Sequence, residues 1–134
     1  MRALSNPSSD LSPALKIHNK KSIGKKGEDL ARKFFQNQGF IIVESNFHTR
    51  YGEIDLILRK DKTFRFVEVK FRRTLDYGLP QESVVKRKQE KIRKVALFWL
   101  KMRNLPMDTE VHFDVLGIKE EKRRIEYEYL TDAF

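Results

Sequence analysis

Apolar residues recur at helical spacing from Ser22 to Gln38. Ile23, Gly27, Leu30 and Phe34 stand at i, i+4, i+7 and i+11, one face of a helix with a period of about 3.6 residues. Ser22 suits the N-cap, and Gly39 suits the C′ position, where a left-handed residue closes a helix. Phe40 to Glu44 (FIIVE) reads as a short strand rich in β-branched residues. Glu53 to Arg59 and Phe64 to Phe71 are two further strands. Lys60, Asp61, Lys62 and Thr63 join them, a separation short enough for an antiparallel hairpin. Thr74 to Gln81, with Gly78 and Pro80, is a loop. Ser83 to Met102 is the longest helix and turns Val85, Ile92, Val95, Ala96 and Trp99 inward; Asn104 to Pro106 ends it. Glu110 to Ile118 and Arg124 to Leu130 are the last strands. The order α-β-β-β-α-β-β makes an α/β fold, a mixed sheet flanked by helices, the economical architecture. Residues 1–21, rich in Ser, Pro, Asn and Lys and without a period, are expected to form a flexible basic tail, and 22–134 a single domain.

Alternation along the hairpin places charge where it needs an explanation. Ile54, Leu56 and Leu58 are expected on one face, and Glu53, Asp55 and Ile57 on the other. On the second strand Val67, Val69 and Phe71 share a face, as do Phe64, Phe66, Glu68 and Lys70. A loop symmetric about residues 61 and 62 pairs Leu56 with Val67 and Ile54 with Val69, giving a continuous apolar face. The same register sets Asp55 opposite Glu68, with Cβ atoms about 4.5–5.5 Å apart. Two carboxylates on a half-buried face are costly to ionise together. One candidate to compensate them is a hard divalent cation such as Mg²⁺, which takes one or two carboxylates plus waters and phosphate oxygens. Lys70, two residues beyond Glu68, is then placed to orient a water or to stabilise charge on a phosphate. The competing arrangement pairs Glu53 with Lys70 across the strands and leaves all four charges on a solvated edge. Glu28 is a third carboxylate of interest, in the stripe Gly24, Glu28, Ala31 and Phe35 beside the apolar face of the first helix.

Composition narrows the classes. An apolar fraction of 40%, with ten Phe, four Tyr and one Trp, supports one folded core. The absence of cysteine excludes disulfides, thiolate zinc sites and a Cys nucleophile. No apolar run reaches the roughly 18 residues of a membrane span, and Met1 to Leu15 lacks a secretory h-region. A soluble cytoplasmic protein without membrane contact is expected. The net charge of +9 points to a polyanionic partner such as DNA, the plain alternative being a mildly basic solvated surface.

Taken in order, Gly24-x-x-Gly27-Glu28, then Gly52-Glu53-Ile54-Asp55-Leu56-Ile57, then Phe66-Val67-Glu68-Val69-Lys70 resemble the YraN family of small bacterial proteins. That family is similar to the archaeal Holliday junction resolvases and belongs with the restriction-endonuclease-like PD-(D/E)xK nucleases. The resemblance covers about residues 22–134, including Phe113-Asp114-Val115 and Ala133-Phe134. It implies a restriction-endonuclease-like fold, with Asp55 and Glu68 holding Mg²⁺ or Mn²⁺, Lys70 as catalytic lysine and Glu28 as the helix-borne acid. No Pro precedes Asp55, a departure common in that superfamily. Fold does not fix activity.

Basic residues crowd the second helix at Lys86, Arg87, Lys88, Lys91, Arg93 and Lys94, and Arg72 and Arg73 follow Lys70. Lys88 lies in the inward stripe, where it snorkels out or points at a charged site. Related nucleases carry a polar residue near the metal from this helix, which makes Lys88 or Gln89 a phosphate contact. Asp114 reads as a structural hydrogen-bonding residue and Trp99 as core, and the three histidines show no ligand spacing. These readings converge on a Mg²⁺- or Mn²⁺-dependent deoxyribonuclease acting on DNA, branched DNA included, with no small-molecule cofactor. Arg72, Arg73, Lys86, Lys88 and Gln89 would hold the nucleic acid. Rival readings are a nucleic-acid-binding module that keeps the fold without turnover, and a protein-interaction subunit. Resolvases act as dimers, so a homodimer is carried from the resemblance, although no dimer surface is legible.

Overall fold

A computed structural model describes residues 24–73 and 85–134. The expected tail, the Ser22 cap, the loop over 74–81 and residues 83–84 of the long helix lie outside the described residues. The order is α1 (Gly24–Asn37), β1 (Ile41–Thr49), β2 (Gly52–Lys60), β3 (Thr63–Arg72), α2 (Lys86–Met102), β4 (Val111–Glu121) and β5 (Arg124–Leu130). This is the α-β-β-β-α-β-β sequence read from the chain, and it is consistent with a restriction-endonuclease-like fold.

The five strands form one mixed sheet in the order β1-β2-β3-β4-β5. β3 and β4 run parallel and every other pair antiparallel. A parallel pair needs a long crossover, and α2 supplies it. On one face Ala31 and Phe35 of α1 pack on Leu56, Leu58, Val67, Val69, Leu116 and Ile118. On the other, Ile92, Val95, Ala96, Trp99 and Leu100 of α2 pack on Ile57, Phe66, Phe113 and their neighbours. The alternation of Val67 with Phe66, and of Leu56 with Ile57, sorts the two clusters to opposite faces.

α1 closes as expected. Gly39 takes a φ of +91°, and the Phe40 N–H donates to the Phe35 carbonyl at 3.0 Å, the long closing bond of a left-handed helix end. The buried stripe, however, is Gly27, Ala31 and Phe35, while Leu30 and Phe34 are only partly buried at its border. Both stripes are apolar, and the small side chains of Gly27 and Ala31 let the helix approach the sheet. At the other helix, Val85 is the N-cap and is 60% exposed, so it does not turn inward as the periodicity suggests. β1 runs on to Thr49, beyond the FIIVE segment, because Ser45, Phe47, His48 and Thr49 pair with β2.

The β2–β3 hairpin has the expected register. Lys60 pairs with Thr63 and Leu56 with Val67 around Asp61, which is left-handed at φ +59°. The ladder stops at Leu56–Val67, so Ile54 and Val69, and Asp55 and Glu68, are not ladder partners. Ile54 also departs from the expected face. It packs with Ile57 in the cluster under α2 rather than with Leu56 and Leu58. The alternation breaks at Asp55, where the ladder opens. No helix among the described residues is long and apolar enough to cross a membrane.

Candidate active site

The open end of the hairpin is where the charged residues meet. Glu68 alternates with Val67 and Val69 and so projects to the α2 face, where it is only 6% exposed. Lys70, on the same face, places Nζ 3.2 Å from Glu68 Oε2. The first turn of α2 delivers Lys88, whose Nζ lies 2.5 Å from the same oxygen. Asp55 is buried, and its Oδ2 accepts the Val69 N–H at 2.8 Å. The side chain thus takes a β3 donor that the opened ladder leaves to it. Sequence reasoning set the two carboxylates face to face. In the structure Asp55 instead bonds the backbone beside Glu68, and the two still interact through their charges.

The electrostatics follow from that arrangement. Burial pushes the Asp55 carboxyl well above its usual range and the Glu68 charge adds to it, while the Val69 N–H pulls partly back. Burial lowers the Lys70 ammonium; Glu68 opposes this, and the Lys88 charge reinforces it. Burial acts on Lys88 in the same sense, but Glu68 outweighs it and the Lys88 ammonium is raised. The two ammonium groups are thus shifted in opposite directions, Lys88 upward and Lys70 downward. The start of α2 is unfavourable taken alone: Val85 offers no side-chain cap, and the first turn carries no acid. Lys86, Arg87 and Lys88 stand there at the positive end of the helix dipole, where each exposed cation costs about 0.3–1 kcal/mol.

The chemistry of the donor set suits a hard cation. Asp55 and Glu68 offer carboxylate oxygen only, and Mg²⁺ or Mn²⁺ sites take one or two carboxylates with waters and substrate phosphate making up the rest. The Glu68 repulsion, which adds to burial in raising Asp55, is what such a cation relieves. Among the described residues no three His, Cys, Asp or Glu side chains gather into a metal-binding group, so a cation at this point would find only these two carboxylates.

The other sequence candidates fall around this centre or away from it. Glu28 accepts a hydrogen bond from Asn46 Nδ2 at 3.0 Å and lies 4.0 Å from Arg32. Ser45–Leu56 and Phe47–Ile54 are ladder pairs, so Asn46 sits across from Asp55. Glu28 is tied to the strand position beside Asp55 rather than grouped with the two carboxylates. Glu53 is 3.0 Å from His48 Nδ1. Arg73 is 68% exposed and lies 3.7 Å from Glu120, which also takes Lys26 of α1 at 2.6 Å, so it is not brought to Glu68. Arg72 keeps the parity of Glu68 and Lys70, and Lys86 and Gln89 flank Lys88 in the first turns of α2.

A family model described as "Uncharacterised protein family UPF0102" matches residues 27–118, a span that includes all nine candidate residues. The chain belongs to this family. Members of the UPF0102 family align over most of their length. One from Dictyoglomus turgidum is 43% identical over 118 residues, covering 87% of this chain and 99% of its own. One from Syntrophomonas wolfei is 40% identical over 116 residues, 85% and 98% of the two chains. One from Geobacter sulfurreducens is 42% identical over 120 residues, 87% and 91%. UPF0102 membership agrees with the YraN resemblance and assigns no activity, so the chemistry rests on the residues themselves.

Sequence reasoning missed Asn46, which takes a left-handed φ of +54° inside a strand, and Glu44, which is buried. Glu44 Oε1 accepts the Trp99 Nε1–H at 2.9 Å and lies 3.5 Å from Arg103 Nη2. A Glu closing an otherwise apolar strand was the one available signal for it.

Proposed function

We propose that the chain is a Mg²⁺- or Mn²⁺-dependent phosphodiesterase that hydrolyses DNA, branched DNA included. One observation carries this reading: two buried carboxylates and two lysines of opposite pKa tendency meet at the open end of a hairpin. The net charge of +9 and the basic start of α2 supply attraction for phosphate. Asp55 and Glu68 would hold the ion, which supplies Lewis acidity at a phosphoryl oxygen and at a water. Lys70, whose ammonium burial lowers, would orient an attacking water and stabilise charge on the phosphate. Lys88 and Lys86 contact the phosphate that flanks the scissile bond. Glu28 acts at a distance, by fixing Asn46 beside Asp55.

DNA binding without turnover is the second reading. It is favoured by the lysine pairing, which already neutralises Glu68. A panel of single-stranded, duplex, flap and four-way DNA, incubated with Mg²⁺, Mn²⁺ or a chelator, separates the two. Hydrolysis predicts metal-dependent products from the parent and none from Asp55→Asn. Equal products from both would assign the activity to a contaminant. Salt-sensitive binding of the same DNAs without products would leave the binding module.

A further inference from the structure

We propose that Lys88 is a displaceable counter-ion, holding Glu68 until a divalent ion takes that carboxylate and then turning to a DNA phosphate. The proposal rests on the metal-dependent reading of the site and adds a coupling between metal and DNA that the reading does not require. Glu68 Oε2 faces two ammonium groups, Lys88 at 2.5 Å and Lys70 at 3.2 Å. A carboxylate oxygen has two lone-pair sites, so both are in use. Glu68 and Asp55 are 6% and 5% exposed, so water screens neither the lysine pairing nor a competing cation. An ion that takes this oxygen therefore has to displace one ammonium.

The fold decides which one leaves. Lys70 is held on a paired strand two residues from Glu68, its backbone aligned with Gly117 of β4. Lys88 reaches Glu68 on a four-carbon stem from an uncapped helix start. Once released it stands with Lys86 and Arg87 at the positive end of α2, where its charge faces no acid in that turn and favours an anion. Metal binding then frees a phosphate contact, and DNA that captures Lys88 frees Glu68 for the metal. By linkage each ligand tightens the other equally.

The test titrates Mn²⁺ alone into the full chain by calorimetry, without DNA. Lys88→Met removes the competitor and should bind Mn²⁺ about tenfold more tightly, the worth of one charge-assisted hydrogen bond. Lys91→Met, an exposed charge one turn along the same helix, should stay within about twofold because solvent screens it. Lys88→Gln serves if Lys88→Met does not fold. A second measurement uses anisotropy of a labelled duplex in chelator. Glu68→Gln, which frees Lys88, should tighten metal-free binding several-fold more in the parent than in the Lys88→Met background. Parent-like Mn²⁺ affinity in Lys88→Met, with binding still lost in Asp55→Asn, would overturn the exchange and leave the metal site standing. Equal gains from Glu68→Gln in both backgrounds would also overturn it. No Mn²⁺ binding by the parent or by Lys88→Met would remove the metal reading and this proposal together.

Discussion

Replacing Asp114 tests whether the sheet is held together as the structure indicates. Asp114 is fully buried on β4. Its carboxylate takes Arg65 Nη1 at 3.0 and 3.1 Å, the Tyr129 hydroxyl at 2.5 Å and the Asp132 N–H at 2.8 Å. One side chain thus ties β3, β4, β5 and the C-terminal turn, where the Ala133 N–H also donates to the Phe113 carbonyl at 2.7 Å. The Tyr129 phenol is raised, by burial first and then by its bond to Asp114. Asp114→Ala leaves a guanidinium, a phenol and a backbone N–H without their acceptor. Breaking a buried ion pair from one side costs about 3–5 kcal/mol. Arg65 is 20% exposed and can turn partly to water, which sets the expectation at the lower end, about 3 kcal/mol. For a domain of this size that corresponds to a fall in Tm of roughly 10–15 °C. Thermal melts followed by circular dichroism, with denaturant titrations at 25 °C, read it directly. Asp114→Asn keeps the volume and one acceptor and should fall between. Asp114 shares the parity of Leu116 and Ile118, so it lies on the α1 face, away from Glu68. DNA affinity of the folded variant in the cold should match the parent. A loss under about 1 kcal/mol would refute the reasoning, since even one unsatisfied buried partner costs that much.

Three further outcomes follow from the site. Duplex DNA affinity should fall steeply with salt, log K dropping by about 0.9 per phosphate contact for each unit of log salt; a slope near zero in a fluorescence titration would sink the basic-surface argument. Lys70→Ala should cut metal-dependent cleavage by about 10²–10⁴-fold while DNA affinity changes little; parent-like rates would make the lysine structural. For Asp55, a folded pKa raised above the unfolded value means that metal-free stability is full below about pH 3.9 and falls as pH rises through the folded value. Asp55→Asn should lack that fall, equal or exceed the parent near neutral pH, and lose the stabilisation that Mn²⁺ gives the parent; melts across pH with and without metal check all three.

The fold was legible because its signals are periodic and redundant. The apolar runs at Leu56–Leu58 and Phe64–Val69 could only pair around a short turn, and β-branched and aromatic residues filled both faces. The register came from the requirement that Leu56 meet Val67. Errors arose where two apolar stripes adjoin, as on α1, or where polar residues pair within a strand, as in the second half of β1. Asp114 was legible as a hydrogen-bonding residue since an acid between Phe113 and Val115 on a strand needs partners. Its partners, Arg65 and Tyr129, are 49 and 15 residues away and were not legible.

The candidate site was legible in its residue types and only partly in its geometry, for one physical reason. Sequence patterns report where local rules are obeyed, and this site is where they fail. The alternation of β2 breaks at Asp55, the ladder stops one pair earlier, and Asn46 across from Asp55 adopts a left-handed backbone inside a strand. α2 starts without a cap and with cations against its dipole. Asp55 is a buried acid held beside another. Each departure is locally unfavourable. Departures of this kind, gathered at one end of one hairpin, are expected where a chain gives up stability for chemistry. They also explain why Lys88, legible as pointing at a charged site, pairs with Glu68. A basic helix start is unfavourable until Glu68 accepts Lys88, and Glu68 is unfavourable beside Asp55 until a cation arrives. Lys88 and Lys70 are those cations in the structure, and Lys88 makes the long helix part of the site and not only its support.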